Sequence, residues 1–389
     1  MKNHSIQLLT LNILHILNDG YNASFLLLLP FIAKDMHLSL TQVGLLGTTV
    51  NSLSIILALP AGYIATKFGG MKTLIVALFI YGIGFLATGF VSDYVWLFAT
   101  FIMVGTGVGV FHPIGFALIA KWSTKETRGK QMGNFTAIGD VGRIGIAALL
   151  TVIIVAIGWH YTAILYAIIA ISIALVFYTI FISKTEHFTT KEKSPVTVSL
   201  KEILRHKKFI FASLANFCDA FASSALFIFL PFLLLKRGID PALLGSFAGA
   251  FFIGNFAGKT VLGRFVDTVG NTKVFIVSEL LMAVFILLLA NSIWLPLIII
   301  CSVILGIFTK GTVPVLQTMI SESADHHGNF EKAFGVNAFI ASIATTLAPI
   351  VLGSISDTAG ILSAFTIMAA MAILAIIPAV AFHFTKSTK

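Results

Sequence analysis

The residues best suited to chemistry lie inside an apolar part of the sequence. Residues 15–22 read HILNDGYN and place an imidazole, a carboxylate and two amides between long apolar runs. His15 and Asp19 are four residues apart, so they share one face of a helix. In surroundings of low dielectric constant, such a pair can exchange a proton near neutral pH. The spacing therefore predicts proton binding, and the alternative is a fixed hydrogen-bonded pair that joins two helices.

A second group of candidates centres on positive charge. Arg143 and Lys310 lie deep in apolar runs, and a guanidinium binds carboxylates or phosphonates with two hydrogen bonds. We predict that Arg143 and Lys310 contact an anionic solute, and ion pairs with aspartates are the alternative. Asp140, three residues before Arg143, belongs either to the same solute site or to an ion pair with the arginine. His112 precedes a helix-kinking proline and is a candidate for solute or proton contact.

Three more polar side chains inside apolar segments, Tyr21, Asn22 and Asn216, complete the predicted solute site. Lys259 and Glu279 are placed nearer to the ends of their segments, and Lys259 is given a structural role because its long stem can reach the polar boundary. The two cysteines also lie in apolar segments, and their spacing predicts neither a disulfide nor a metal site. We expect no cofactor.

The segments that must hold these residues are long and apolar. The chain has 389 residues, of which 58% are hydrophobic and 11% charged, whereas an ordinary soluble domain is about 25% charged. An apolar run of about 18 residues or more predicts a membrane-spanning helix. The sequence therefore predicts an all-α membrane protein with twelve transmembrane helices in two six-helix bundles. The predicted spans are 8–32, 43–65, 73–92, 95–120, 132–158, 161–183, 209–236, 243–263, 274–291, 294–320, 333–357 and 361–384.

The placement of the positive residues, which give a net charge of +9, indicates a membrane topology rather than binding to a nucleic acid. With both termini on one side, most lysines and arginines fall on that side, and positive residues favour the cytoplasm. We therefore predict a multi-pass protein of the bacterial inner membrane with both termini cytoplasmic, in contact with lipid and without a nucleic-acid partner.

The sequence GTGVGVFHP lies in a predicted span without a preceding strand, so it does not predict a nucleotide site. No arrangement of nucleophile and base predicts an enzyme.

The two halves of the chain resemble each other at an offset of 201 residues, which indicates an internal duplication. The matching pairs are Pro30 and Pro231, Gly44 and Gly245, Gly62 and Gly263, Gly69 and Gly270, Lys72 and Lys273, Gly105 and Gly306, and Pro113 and Pro314. We predict one bundle at 1–183, a cytoplasmic linker at 184–208 and a second bundle at 209–389. Asp219 then matches the first-half cluster and becomes a third predicted proton carrier.

Two glycine-rich sequences carry a family resemblance. GYIATKFGGMKT (residues 62–73) and GRFVDTVGNTK (263–273) resemble the two copies of the loop signature of the major facilitator superfamily. The resemblance covers essentially the whole chain and implies transport by two bundles that rock around a central site. The gate motif that it assigns consists of Gly62, Gly69, Lys72, Gly263, Arg264, Asp267 and Gly270. Thr66 stands where the first copy usually has an acidic residue, which implies a first-half gate that is held differently.

Two further motifs resemble the fosmidomycin-resistance group of bacterial exporters within that superfamily. H-x-L-N-D is matched at residues 15–19, and G-T-G-x-x-V-F-H-P is matched at residues 105–113. This resemblance implies export of a drug or a small solute. The fifth span reads GDVGRIG, where many exporters carry a glycine-proline signature.

Together these observations predict a secondary active transporter that moves a small organic solute by alternating access. We expect it to be a monomer. The buried cations favour an anionic or amphiphilic solute, the three proton-carrier candidates favour proton coupling, and the resemblance favours efflux by an antiporter. The alternative is proton-driven import of an organic acid or of a metal-chelating, siderophore-like metabolite. A receptor that binds without transporting is a different class, which the duplicated architecture disfavours.

Overall fold

The chain is helical throughout the part that the computed structural model describes, residues 2–123, 128–181, 206–324 and 330–385, and these ranges contain no β-strand. The predicted linker at 184–208 lies mostly outside them. The helices are α1 (Lys2–Asp35), α2 (Leu40–Ile56), α3 (Ala58–Phe68), α4 (Gly70–Thr88), α5 (Tyr94–Trp122), α6 (Arg128–Phe181), α7 (Lys207–Ser224), α8 (Leu226–Lys236), α9 (Leu244–Val269), α10 (Asn271–Asn291), α11 (Leu295–Ala324), α12 (Phe330–Ala359) and α13 (Ile361–Phe384), with a short 3₁₀ turn at Pro241–Leu243.

These helices are long and apolar enough to cross a membrane. By length and composition, ten segments of the described chain qualify, and the bent pair α2–α3 makes an eleventh. One of the ten, Asn134–Phe181, is interrupted at Gly158, whose φ of 82° is not helical. Tyr166 Oη donates to the carbonyl of Ile146 at 2.8 Å, which a continuous helix rising about 1.5 Å per residue could not allow. The segment therefore holds two spans, and the described ranges accommodate the twelve predicted from the sequence.

Two of the predicted spans are broken. The span predicted at 43–65 bends by 61° between α2 and α3, at Leu57. Pro60 follows the bend and has no N–H to donate to the preceding turn, which favours a change of helix direction. The span predicted at 209–236 is divided at Ala225, between α7 and α8. Hydrophobicity alone does not register such breaks, because both sides are equally apolar.

Backbone turns recur between the two halves of the sequence. Among the described residues, those with positive φ form three pairs separated by 201 or 202 positions. The pairs are His37 (54°) with Gly238 (78°), Gly69 (89°) with Gly270 (94°), and Gly158 (82°) with Gly360 (86°). The same unusual conformations thus occur at the offset found among the sequence landmarks, which supports the predicted duplication.

Contacts within the chain define two compact units. Unit 1 comprises Met1–Leu38, Thr49–Glu192 and Ile239–Gly249. Unit 2 comprises Ser39–Thr48, Lys193–Gly238 and Ala250–Lys389. Each unit therefore contains one short segment from the other half of the sequence, and we call these the exchanged segments. The sequence-based boundary at 184–208 stays a prediction.

Glycines bring each exchanged segment close to its unit. In unit 1, Gly245 of α9 lies against the carbonyl of Ala148 in α6, and its N–H donates to Thr151 Oγ1 at 3.0 Å. In unit 2, Gly44 of α2 lies against the carbonyl of Pro349 in α12. The two glycines are 201 positions apart, as are their two carbonyl partners. A side chain at either glycine would collide with the opposing carbonyl.

Unit 2 also contains a helix cap made between distant parts of the chain. Asp357, near the end of α12, accepts hydrogen bonds at the start of α2. Its Oδ1 accepts from the N–H of Leu40 at 2.8 Å, and its Oδ2 accepts from the N–H and the hydroxyl of Thr41 at 2.8 and 2.5 Å. The two N–H groups are donors that a helix cannot satisfy internally, so Asp357 adds to the local cap made by Ser39, whose Oγ accepts from the N–H of Gln42 at 3.2 Å.

Candidate functional site

Asp19 lies at the centre of an ionic cluster in unit 1. The cluster consists of His15 and Asp19 from α1, His112 from α5, and Asp140 and Arg143 from α6. Asp19 Oδ2 is 3.2 Å from His15 Nε2 and 2.8 Å from Arg143 Nη2, and Asp19 Oδ1 is 3.4 Å from His112 Nε2. Asp19, predicted from the sequence, is thus contacted by three other predicted site residues, His15, His112 and Arg143, and Asp140 joins the cluster through Arg143.

Arg143 joins the two carboxylates of the cluster. Its Nη1 donates to Asp140 Oδ1 at 2.7 Å, and its Nη2 lies 2.8 Å from Asp19 Oδ2. The side chains of Asp19 and Asp140 are 2% and 0% exposed, whereas that of Arg143 is 20% exposed. The ion pair considered for Asp140 and Arg143 is therefore formed, and Arg143 also contacts Asp19. With both imidazoles neutral the cluster carries one net negative charge, and each added proton shifts this charge by one positive unit.

Aromatic rings hold His15 away from solvent. Its ring stacks on Phe135 at a centroid distance of 4.1 Å and on Phe111 at 5.4 Å, and its Nδ1 has no hydrogen-bond partner among the described residues. His112 makes an edge-on contact with His15 at 5.3 Å, yet its side chain is 36% exposed. Asp19 therefore has a buried imidazole and an accessible imidazole beside it.

Glycines in α6 make room for the cluster. A Cβ at Gly139 would collide with Asp19 Oδ2 and His15 Nε2, and a Cβ at Gly142 would collide with the carbonyl oxygen of Ile16. The helices α1 and α6 can approach this closely because both positions lack a side chain. The sequence GDVGRIG thus supplies the two charged groups that α6 contributes to the cluster and also the space that lets them meet α1.

Tyr21 and Asn22 follow the cluster along α1 in different surroundings. Tyr21 Oη donates to the carbonyl of Tyr166 at 2.8 Å, and its ring packs against those of Phe85 and Tyr166. This placement favours packing over the predicted solute contact. Asn22 is partly buried, and its Oδ1 has no hydrogen-bond partner among the described residues, so its predicted solute contact remains open.

The remaining predicted site residues lie in unit 2. Asp219 of α7 is buried and accepts a hydrogen bond from Thr312 Oγ1 at 3.1 Å. Asn216 Nδ2 donates to Asn337 Oδ1 at 3.1 Å. Lys310 of α11 is exposed and interacts electrostatically with Asp219. The lysine therefore lies near an aspartate, as its alternative interpretation expected, while its solute contact stays a prediction.

Glu279 is a buried ionisable residue for which the sequence analysis predicted no role. It was placed near the end of a span, but it lies within α10 with no exposed surface, beside the carboxyl group of Asp219. The available signal was a single carboxylate with apolar runs on both sides, in VFIVSELLMAVFILLL. Proximity to a residue 60 positions earlier could not be derived from that pattern.

The gate-motif residues occupy corresponding places in the two halves. Gly69 and Gly270 have positive φ directly before α4 and α10. Lys72 is partly buried in the first turn of α4, Arg264 is exposed on α9, and Gly62 of α3 has open space around it. Gly263 and Asp267 lie outside the residues whose side-chain surroundings are described. The gating role of the motif stays a prediction.

One group of described side chains has the spacing of a metal site. His15, Asp19 and His112 each offer a ligand atom, and these atoms lie within 4.8 Å of one another. Arg143 contacts the same Asp19 oxygen that faces His15. A metal cation between these groups would be repelled by the fixed charge of the guanidinium. The guanidinium therefore disfavours a metal cation between these three side chains.

Comparison with known proteins finds relatives named as anion transporters. The chain is 27% identical over 289 residues to the nitrite extrusion protein of Bacillus subtilis (strain 168), covering 74% of this chain and 69% of the relative. It is 25% identical over 266 residues to the "Probable nitrate transporter NarT" of Staphylococcus epidermidis, covering 68% and 67%. These relatives do not support the predicted fosmidomycin-resistance subgroup, because their names concern nitrate and nitrite.

Solved structures show the same fold. A bacterial homolog of the human lysosomal transporter Spinster, in an inward-facing and occupied conformation, matches with a TM-score of 0.75 at 17% identity and covers 98% of this chain and 96% of its own. The nucleoside transporter NupG matches with a TM-score of 0.76 at 13% identity, covering 97% and 100%. The family model described as Major Facilitator Superfamily matches residues 11–217 and 212–389. The chain therefore belongs to the Major Facilitator Superfamily, a family of membrane transporters and not of enzymes.

Proposed function

We propose that the chain is a secondary transporter that moves a small anion together with a proton. The observation that carries the proposal is the 2.8 Å contact between Arg143 Nη2 and Asp19 Oδ2, on a carboxylate that also faces His15 and His112. Arg143 supplies the fixed positive charge of the cluster, and two carboxylates hold it. An anionic solute must therefore compete with Asp19 for the guanidinium.

Protonation changes the outcome of that competition. A proton on Asp19 removes the charge that holds Arg143 Nη2, while Asp140 still orients the guanidinium through Nη1. A proton on either imidazole also adds positive charge to the cluster and so favours binding of the anion. Proton and anion therefore raise each other's affinity, since such linkage is reciprocal. Two ligands that bind the same state cross in the same direction, so an inward proton gradient would drive uptake of the anion.

This linkage favours the importer that the sequence analysis kept as its alternative. Export by antiport is the second candidate, and the relative named nitrite extrusion protein favours it. A proton–anion antiporter must bind its anion to the deprotonated cluster, which carries net negative charge. Electrostatic repulsion opposes that binding, so we place cotransport first.

The solute class follows from the guanidinium and from the relatives. Arginine favours planar or tetrahedral oxyanions, because its fork of N–H groups matches two oxygens at once. Nitrate and nitrite, which appear in the names of the relatives, are oxyanions, as are the carboxylates and phosphonates that the sequence analysis favoured. We propose a small oxyanion as the solute.

Purified protein in proteoliposomes tests this function. Accumulation of nitrate, nitrite, a short carboxylate, a phosphonate and a neutral analogue is measured with an acidic exterior, an alkaline exterior and no gradient. We expect at least one oxyanion to accumulate under the inward proton gradient and to bind more weakly as the pH rises. Accumulation driven only by the opposite gradient would instead establish antiport, and an absence of oxyanion flux would refute the proposal.

Two variants identify the anion contact. Arg143→Ala should reduce oxyanion transport far more than transport of a neutral solute. Lys67→Ala also removes one positive charge, but from an exposed position on α3, and should leave transport unchanged. Equal losses for both solutes in Arg143→Ala would assign the arginine to structure alone.

A further inference from the structure

A second pair of ionisable groups is buried in unit 2. Asp219 of α7 is 4% exposed and Glu279 of α10 is 0% exposed, and their carboxyl groups lie beside each other. Thr312 Oγ1 of α11 donates to Asp219 Oδ1 at 3.1 Å. Three helices therefore meet at this pair of carboxyl groups.

The surroundings of Glu279 favour its neutral, protonated form. Neither of its carboxyl oxygens accepts a hydrogen bond from a described N–H or O–H donor, and both are shielded from solvent. An ionised carboxylate in that position would be left without compensation, which is far more costly than burying the neutral acid. A protonated Glu279 can donate its own hydrogen to Asp219. The contact between the two groups is thus satisfied when one proton lies between them.

Nearby groups supply a balancing charge. Lys310 of α11 interacts electrostatically with Asp219, and the thiol of Cys218 lies next to the pair on α7. The helices α12 and α13 also pack against α7, but they carry Asp357 beside Thr41 and His383 beside Glu322, near the helix ends. With Lys310 charged and one proton on the carboxyl pair, the group is electrically neutral.

We propose that Asp219 and Glu279 form a proton-binding site in which the two carboxyl groups share one proton. Glu279 donates this proton to the ionised Asp219. Uptake of a second proton leaves two neutral acids beside a charged Lys310, and release of the shared proton leaves two carboxylates. Uptake takes one proton from water, and release returns one proton to water. The site lies in a different unit from the Asp19 cluster, uses no arginine, and does not rest on the solute proposed above.

Infrared difference spectroscopy of the purified full-length protein tests the site directly. The carbonyl stretch of a protonated carboxylic acid, identified by its shift in D₂O, is followed as the pH is raised through neutrality. The wild type should show such an acid at neutral pH and lose it at higher pH. Glu279→Gln keeps the shape of the side chain and should lose the signal. Asp219→Asn should keep it to higher pH, because Glu279 then faces a neutral amide.

The control variant and the cation test complete the experiment. The control is Asp93→Asn, at an exposed carboxylate that caps α5. The amide oxygen can still accept the capping hydrogen bond, so this variant should leave the infrared signal and its titration unchanged. A wild type without a protonated acid at neutral pH would overturn the proposal, as would an unchanged signal in a folded Glu279→Gln variant. Loss of the signal on adding NaCl at constant pH, but not choline chloride, would also overturn it by assigning the carboxyl pair to a metal cation.

Discussion

Asp19 meets three groups that can carry positive charge, one on its own helix and two on neighbouring helices. At the scale of single residues, the proposed mechanism couples a proton and an anion at this carboxylate. The imidazoles provide two further protonation positions, one buried and one accessible.

Asp19→Asn separates coupling from binding. The amide cannot ionise, but its oxygen can still accept a hydrogen bond from Arg143, so the variant resembles the protonated state. We expect anion counterflow in proteoliposomes to persist and accumulation driven by a pH gradient to be lost. Asp93→Asn, at an exposed helix cap, serves as the control. Intact gradient-driven accumulation in Asp19→Asn would show that another group carries the proton.

Gly139→Ala tests the space around Asp19. The new Cβ would overlap Asp19 Oδ2 and His15 Nε2, so we expect displaced side chains, lower transport and a loss of stability of about 1–3 kcal/mol, typical of overpacking. Gly145→Ala lies on the same helix with no neighbour within 4 Å of its Cβ and should keep both properties. Thermal unfolding in detergent measures the difference, and equal melting temperatures would contradict the steric argument.

Sequence spacing predicts only part of the cluster. The pairs His15–Asp19 and Asp140–Arg143 follow from helical periodicity, because residues three or four apart share a face. The contact of Arg143 with Asp19 joins positions 124 residues apart, and the burial of Glu279 beside Asp219 joins positions 60 apart. Only tertiary packing brings such groups together. The polarity of Tyr21 likewise did not reveal that a backbone carbonyl already satisfies its hydroxyl.

At the scale of elements, α2 depends on a residue from far along the chain. Its first turn offers unsatisfied N–H groups, and Asp357 of α12 accepts two of them together with the hydroxyl of Thr41. Ser39 caps the same turn locally, because its hydroxyl accepts from the backbone N–H of Gln42 at 3.2 Å. The start of α2 is therefore fixed to α12.

Asp357→Ala should weaken this attachment. Loss of a capping side chain costs about 0.5–2 kcal/mol, and we expect a lower melting temperature for the purified protein. Asp357→Asn retains one oxygen acceptor and should lose less. The two melting curves give the comparison directly, and an equal loss in both variants would assign the effect to charge rather than to hydrogen bonding.

The positions of the spans were predicted well, because they depend on composition. Bends within a span were not predicted, because they depend on local geometry. The twelve apolar spans follow from hydrophobicity, and the turn between the fifth and sixth follows from the polar residues around Gly158. The 61° bend between α2 and α3 lies within an apolar run, so hydrophobicity does not change there. Pro60 was the local signal for it, since proline lacks the N–H that a continuous helix requires.

At the scale of the whole molecule, each compact unit is completed by an exchanged segment from the other half of the sequence. The duplication was visible in the sequence as recurring glycines and prolines at one offset. Its consequence for packing was not, because spacing does not indicate which unit a segment joins. The close contacts of Gly44 with Pro349 and of Gly245 with Ala148 show which unit each exchanged segment joins.

Division of the chain between Glu192 and Lys193 tests this mutual dependence. We expect the two fragments to copurify when they are expressed together, and each to be degraded or to aggregate when expressed alone, because each lacks one exchanged segment. Gly44→Val should reduce copurification by placing a side chain against the carbonyl of Pro349. Gly62→Val, where the Cβ meets open space, is the control. Stable fragments that do not associate would refute the dependence.

The reciprocal contacts of Gly44 and Gly245 also bear on how such a chain could originate. Gly44 of the first half contacts Pro349 of the second half, and the equivalent residue Gly245 contacts Ala148, the equivalent of Pro349. Two identical molecules that pair through the same surface make reciprocal contacts of this kind, as in an isologous homodimer. A polypeptide of half this length could have made both contacts by pairing with an identical molecule. Joining two such genes would then have preserved an existing interface, and the glycines would be older than the fusion.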